Sequence, residues 1–225
     1  NAELMLCEVL KNTRVELYLN FEKPLTKEEI QEFKSMLQRR LKHEPLQHIL
    51  GRTNFYGYDF IINSKVLIPR SETELLAEKI IEDVRSNSLK KVSAFEIGSG
   101  SGCLSIAVAK SLIKENIEVQ IFSIDISKDA IEVSKENLVL NDLDAEIIRY
   151  YGKDVFEIEK LNRNFDYIIS NPPYISLKDY ENLEKEVKDI NYRKTALKNI
   201  MEIEKWCKEQ FEGKLEYSRR TPRTH

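Results

Sequence analysis

The residues best suited to chemistry lie together in Phe165-Asp166-Tyr167-Ile168-Ile169-Ser170-Asn171-Pro172-Pro173-Tyr174. The β-branched and aromatic run predicts a buried strand, Phe165–Ser170, and the prolines stop it, because proline lacks the ladder donor and holds the preceding residue extended. Asn171 is thereby delivered to a rigid loop at the strand's carboxyl end, where open α/β sheets bind ligands. Its side chain offers one acceptor and two donors, and the Pro172 carbonyl, fixed by Pro173, offers a second acceptor. Together they can hold an amide or amino group by its own hydrogens, while Tyr174 lays an aromatic face against the flat group. Such a pocket suits methyl transfer to a planar, weakly nucleophilic nitrogen, a reaction in which positioning supplies much of the rate. A plain proline turn ending a strand is the alternative.

A second loop stands upstream. Phe95-Glu96-Ile97-Gly98-Ser99-Gly100-Ser101-Gly102-Cys103 joins a strand to a helix, and Gly98, Gly100 and Gly102 at alternate positions let the backbone turn tightly beside a ligand. Dinucleotide sites place a third glycine where Cys103 stands, so the spacing is not theirs. Asp125 ends the next strand, where a carboxylate can take both hydroxyls of a ribose. Glu96 precedes the glycines and can meet the amino group of a bound amino acid, directly or through water. Asp154-Val155-Phe156 offers a carboxylate and a ring to an adenine. Taken singly, each acid reads as a solvated loop residue; together, at successive strand ends, they read as a ligand site.

The elements that position these residues follow from periodicity. Residues 2–11 and 13–19 carry apolar side chains at helical spacing. Thr26 and Glu29 form a capping box for a third helix, whose stripe of Ile30, Phe33, Met36, Leu37 and Leu41 is expected to be core. Phe55–Ile62 is aromatic and glycine-interrupted and predicts a β-hairpin. Ser71 and Glu74 form a second capping box after Arg70, which can hold a carboxylate or make a surface salt bridge. Strands at Val92–Ile97, Val119–Ile124, Ala145–Tyr150 and Phe165–Ser170 alternate with helices at Gly102–Glu115 and Lys128–Asn141, the latter capped by Ser127. This alternation predicts a parallel sheet with helices on both faces.

The 225 residues allow one or two domains, and a net charge of -3 argues against a broad basic nucleic-acid surface. Cys7, Cys103 and Cys207 lack metal-ligand spacing and their low, odd count suggests a reducing compartment. His43 and His48 read as surface or packing residues, and no metal site is expected. No apolar run is long enough to span a bilayer, and no signal sequence is visible.

The glycine loop, Asp125, Asp154–Phe156 and Asn171–Tyr174 resemble the class I S-adenosylmethionine-dependent methyltransferases that modify planar nitrogens. Glu44–Gly51, Phe55–Phe60 and Leu67–Glu74 look like one branch of them, the peptide chain release factor glutamine methyltransferases (HemK/PrmC). The resemblance covers about residues 1–186. It implies an α/β fold: a Rossmann-like methyltransferase sheet over residues 71–225, an N-terminal helical bundle over 1–43 that grips the protein substrate, and a hairpin linker over 44–70.

It further implies S-adenosylmethionine as cofactor, a cytoplasmic enzyme, and methylation of the glutamine in a release factor's Gly-Gly-Gln loop, with no direct nucleic-acid or membrane partner. Asn171 and the Pro172 carbonyl would hold the glutamine amide, with Pro173, Tyr174 and Arg70 bordering the substrate; Glu96, Gly98, Gly100, Gly102, Asp125, Asp154–Phe156 and Asn171 would contact the cofactor. Methylation of a ribosomal-protein glutamine or of a nucleic-acid amino group, and an inactive cofactor-binding relative, are the alternatives. Two departures stand out. Ser71 occupies a position where the family usually has proline, with little effect expected. From about Val187 the family's glycine-rich loop, helix, strand and final antiparallel pair give way to one amphipathic helix, residues 195–211, and a basic tail, so the C-terminal strands are expected to be incomplete and the edge beside Phe165–Ser170 uncovered.

Overall fold

The structure is a computed structural model, described over residues 1–158, 164–171, 203, 205–206 and 215–217. It opens with helices α1 (Ala2–Leu10), α2 (Arg14–Leu19) and α3 (Lys27–Leu41). Reciprocal capping boxes start two of them: Thr26 with Glu29 on α3, as expected, and Thr13 with Glu16 on α2, which the sequence reading missed. The α3 stripe is not core. No α3 residue is buried, and Ile30 and Leu41 are 38% and 72% exposed. Three short helices form a single thin layer, which shelters only Met5 and Val9 of α1 fully and cannot close over the far side of α3.

Arg39 ties α3 to the next turn of helix. Its guanidinium grips Glu44 through Nε at 2.8 Å and Nη2 at 2.5 Å, and reaches the His48 carbonyl on α4 (Leu46–Leu50) at 3.2 Å. His48 is buried, and burial lowers its pKa, so the ring is a neutral packing residue. Gly51 turns the chain, at φ 70°, into the hairpin of β1 (Arg52–Phe55) and β2 (Tyr58–Ile61). Tyr56 and Gly57, both at positive φ, form its two-residue turn, the geometry whose twist matches that of the strands. The expected hairpin is present and starts three residues earlier, at Arg52: Phe55 and Phe60 lie on its two strands and bury their rings edge to face.

The remaining elements are α5 (Ser71–Ser86), β3 (Lys91–Ile97), α6 (Cys103–Ile113), β4 (Glu118–Asp125), α7 (Lys128–Leu140), β5 (Ile148–Gly152), a 3-10 turn (Val155–Glu157), β6 (Tyr167–Ser170) and β7 (Leu215–Tyr217). The strand order is β5-β4-β3-β6-β7, parallel throughout. The two faces of β3 divide the core. Val92 and Ala94 pack into the larger cluster, with Ile80 of α5 and Ile106 of α6. Phe95 and Ile97 point the other way, to Ile124, Phe165, Ile168 and Trp206. Trp206 falls within the predicted C-terminal helix and lies 6.2 Å from the Phe95 ring. The edge beside β6, expected to be uncovered, carries β7, with Ile168 opposite Leu215. A three-residue strand embedded in a polar stretch carries no periodic signal, which is why it escaped notice. Among the described residues, no helix is long and apolar enough to cross a membrane.

Asparagines of α7 and its C-cap bind the hairpin to this sheet. The buried Asn137 carboxamide accepts from Ile61 N at 2.6 Å and donates to the Ile61 carbonyl at 3.0 Å, as a neighbouring strand's peptide would, and donates also to the Ser101 carbonyl at 2.9 Å. Asn141 Nδ2 donates to the Asp59 carbonyl at 3.0 Å. Truncating Asn137 leaves a backbone N–H and two carbonyls without these partners, so Asn137→Ala is expected to lose about 3 kcal/mol of stability. A urea titration showing a lower midpoint at unchanged slope checks it.

Candidate functional site

The site is fixed by strand order. Because β3 lies between β4 and β6, the Gly98–Gly102 loop is flanked by Asp125 at the end of β4 and by Asn171 just beyond β6. Strand spacing sets the outer pair about 10 Å apart. These are the carboxyl ends on either side of the sheet's point of reversal, where α/β folds open a crevice.

The glycine loop is held peptide by peptide. Gly98 N and Ser99 N both donate to the Ile124 carbonyl, at 2.8 and 3.1 Å, and Gly102 N donates to the Ser99 carbonyl at 2.8 Å. Gly100 N donates to Asp125 Oδ2 at 2.9 Å, and Ser134 Oγ to the Gly100 carbonyl at 2.9 Å. All three glycines adopt positive φ, but their surroundings differ. A Cβ on Gly98 or Gly100 would meet open space, whereas one on Gly102 would stand 2.6 Å from the Tyr150 hydroxyl. Gly98 and Gly100 therefore face the space available to a ligand, and Gly102 lets the loop close onto β5.

The acids divide in the same way. Asp125 accepts from Gly100 N and, through Oδ1, from Ser127 N, each at 2.9 Å, and also from Ile126 N, and the carboxylate keeps acceptor capacity for a hydroxyl. Burial raises its pKa, the N–H groups of Ser127, Gly100 and Ile126 opposing without reversing the shift. Asp154 caps the 3-10 turn by accepting from Phe156 N at 3.0 Å. That turn buries Val155 in the core and leaves Phe156 43% exposed. Ile126, 63% exposed directly after Asp125, is an apolar surface beside the site that the sequence reading passed over. A single isoleucine after a strand is no pattern, and only its exposure marks it.

Glu96 lies beneath the crevice, 2% exposed. Its carboxylate accepts from Ser123 Oγ at 2.5 Å; Ser105 Oγ, which also bonds it, lies 3.0 Å from the Tyr150 hydroxyl. Burial raises its pKa to about 7, the two serines opposing, and raises that of Tyr150 well above the phenol value. Burial likewise pushes the Cys103 thiol up to about 12, which makes it an inert packing residue.

On the other flank, Asn171 Nδ2 donates to Thr73 Oγ1 of α5 at 2.8 Å. Arg70 is exposed at the N-cap of α5. The expected Ser71–Glu74 capping box is absent: Ser71 is already helical, no side chain caps the start, and Glu74 Oε1 accepts from Tyr56 N in the hairpin turn at 2.6 Å. A stronger tertiary claim on the glutamate displaces the local one. Pro172, Pro173 and Tyr174 lie outside the described residues. Among those described, no group of three or more potential ligands could hold a metal ion.

Residues 71–189 match the family model for the methyltransferase small domain, more than half of the chain. The chain belongs to the methyltransferase small-domain family. Residues 1–51 match the model for the PrmC N-terminal domain. Similar relatives include the release factor glutamine methyltransferase of Flavobacterium psychrophilum, 38% identical over 192 residues, and that of Bacillus cereus, 36% identical over 189. The match covers 85% and 84% of this chain but only 60% and 65% of those proteins. A solved ribosomal protein L11 methylase from Lactobacillus delbrueckii subsp. bulgaricus is 17% identical, covering 66% of this chain and 72% of its own, at a TM-score of 0.39.

S-adenosylmethionine is the cofactor that goes with this family. The residues fit it: open space over Gly98 and Gly100, a hydroxyl acceptor in Asp125, and apolar surface at Ile126 and Phe156.

The buried acid predicts a pH signature. Glu96 is protonated in the folded protein up to about pH 7 but ionised above about pH 4.5 in the unfolded chain. The unfolded state then binds fewer protons, so this contribution to stability is complete below about pH 4.5 and lost as pH rises towards 7. Glu96→Gln removes the dependence; relative to the parent, its urea midpoint should gain between pH 5 and pH 8, at up to ~1.4 kcal/mol per pH unit.

Proposed function

We propose that this chain methylates the side-chain amide nitrogen of the glutamine in the Gly-Gly-Gln loop of a peptide chain release factor, using S-adenosylmethionine. The observation that carries the reading is the adjacency of Asn171 to the glycine loop across β3 and β6, in a chain whose two parts match the two family models.

The cofactor supplies an electrophilic sulfonium methyl group. Asp125 holds the ribose hydroxyls, Gly98 and Gly100 let the backbone approach the methionine portion, and Phe156, with Ile126, borders the adenine. Glu96, which ionises as pH passes about 7, would meet the cofactor's amino group directly or through water. Asn171 accepts a hydrogen from the glutamine amide through Oδ1, and the Pro172 carbonyl accepts the other; Tyr174 borders the flat group and Arg70 takes part in binding the substrate loop. With both hydrogens held, the amide nitrogen would be oriented for transfer, in which a new N–CH3 bond replaces the S–CH3 bond, the cofactor leaves as the neutral thioether and one amide proton passes to solvent; positioning would carry the rate.

Apolar side chains left exposed on the N-terminal helices and the turn between α2 and α3 support a protein partner. Val15, Leu19, Phe21 and Leu41 are each more than 60% exposed, and exposed large apolar side chains mark protein contact surfaces. The bundle over residues 1–43 grips the release factor, and the enzyme works in the cytoplasm.

Mass spectrometry of a release factor incubated with the chain and S-adenosylmethionine should show one added methyl on the loop glutamine. Asn171→Ala should slow the transfer by about 10²-fold with cofactor binding retained. Cofactor binding by the parent chain without transfer to any release factor would instead identify a binding relative.

A further inference from the structure

We propose that Thr73 is a positioning residue for methyl transfer: its buried hydroxyl takes the Nδ2 donor of Asn171 and so leaves Oδ1 facing the acceptor nitrogen. The inference rests on the glutamine-methylation reading and extends it to a residue outside the crevice.

Both ends of the 2.8 Å bond are anchored. Asn171 follows β6, which Tyr167 ties to α5 through a 2.6 Å bond to Asp83, and whose last residue, Ser170, donates to the Ile97 carbonyl at 3.1 Å. Thr73 sits in the first turn of α5, with its backbone N bonded to the Arg70 carbonyl at 2.9 Å. Its neighbour Glu74 clamps the same turn to Tyr56 of the hairpin. The hydroxyl is thus presented from a rigid base, and its residue is only 7% exposed.

A carboxamide at a strand end has two planar orientations, and they do opposite things. With Oδ1 outward it accepts a hydrogen from an amide nitrogen. With Nδ2 outward it donates, and attracts the carbonyl of an incoming glutamine, which turns the nitrogen away from the methyl donor. Engaging Nδ2 at Thr73 selects the first orientation before substrate arrives. It also fixes the plane of the group, which matters because transfer is sensitive to misplacement of about 1 Å.

Thr73→Val keeps the shape and removes the acceptor; Thr73→Ser restores it. The side-chain ¹⁵NH₂ signals of Asn171, assigned by their loss in Asn171→Asp, should show one hydrogen protected from exchange in the parent and in Thr73→Ser, and neither protected in Thr73→Val. With release factor as acceptor, Thr73→Val should lower kcat by about 10- to 100-fold while the KM for S-adenosylmethionine stays within about twofold. Equal signals and equal kcat in the parent and Thr73→Val would overturn the proposal. So would Thr73→Ser being as impaired as Thr73→Val, which marks a merely structural role. A parent chain inactive on every release factor defeats the glutamine reading; the exchange measurement, needing no turnover, still decides Thr73.

Discussion

The structure depends on β3 having a parallel neighbour on each side. Seven residues of β3 pair with β4 and four of the same residues pair with β6, so the chain must leave β3 towards one edge and later return to the other. Parallel strands need covered faces, and the buried runs of β3, β4 and β6 meet that need only between helices and the Trp206 side. Once the order is set, three loops distant in sequence converge at the carboxyl ends, where Gly98 N and Ser99 N bond the Ile124 carbonyl and Gly100 N bonds Asp125. The separation of Asp125, Gly100 and Asn171 is then a matter of strand spacing rather than of loop flexibility.

Side-chain amides do for the loops what the ladder does for the strands. Asn137 satisfies both backbone groups of Ile61 and a carbonyl of the glycine loop, so α7 joins the hairpin, and through it the N-terminal helices, to the cofactor side of the sheet. Thr73 and Glu74 make the equivalent join on the other flank, to Asn171 and to Tyr56. The hairpin is consequently held at both its turn and its end, and the exposed apolar side chains of the first helices are presented at a defined place relative to the crevice.

What could be read from the sequence was what repeats or punctuates. The alternation of strand and helix from Lys91 onward, the Thr26 and Ser127 caps and the glycine spacing all survive in the structure, with boundaries moved by one to three residues. Local signals failed where a distant group made a better offer. Glu74 reads as a capping residue until Tyr56 N arrives from the hairpin, and the α3 stripe reads as core until the bundle proves too thin to cover it. Within the site, Asp125 was marked by its place at a strand end. Asn137 and Thr73 were not, since a lone asparagine or threonine in a helix has no period, and its importance lies wholly in what folding brings opposite it.

Nearly every peptide of the glycine loop is already engaged before any ligand arrives: Gly98, Ser99, Gly100 and Gly102 by their N–H groups, Gly100 and Ser101 by their carbonyls. A molecule settling there freezes little backbone. Its affinity is therefore spared the entropic toll of ordering a segment, and its heat-capacity change reflects only the apolar surface it covers.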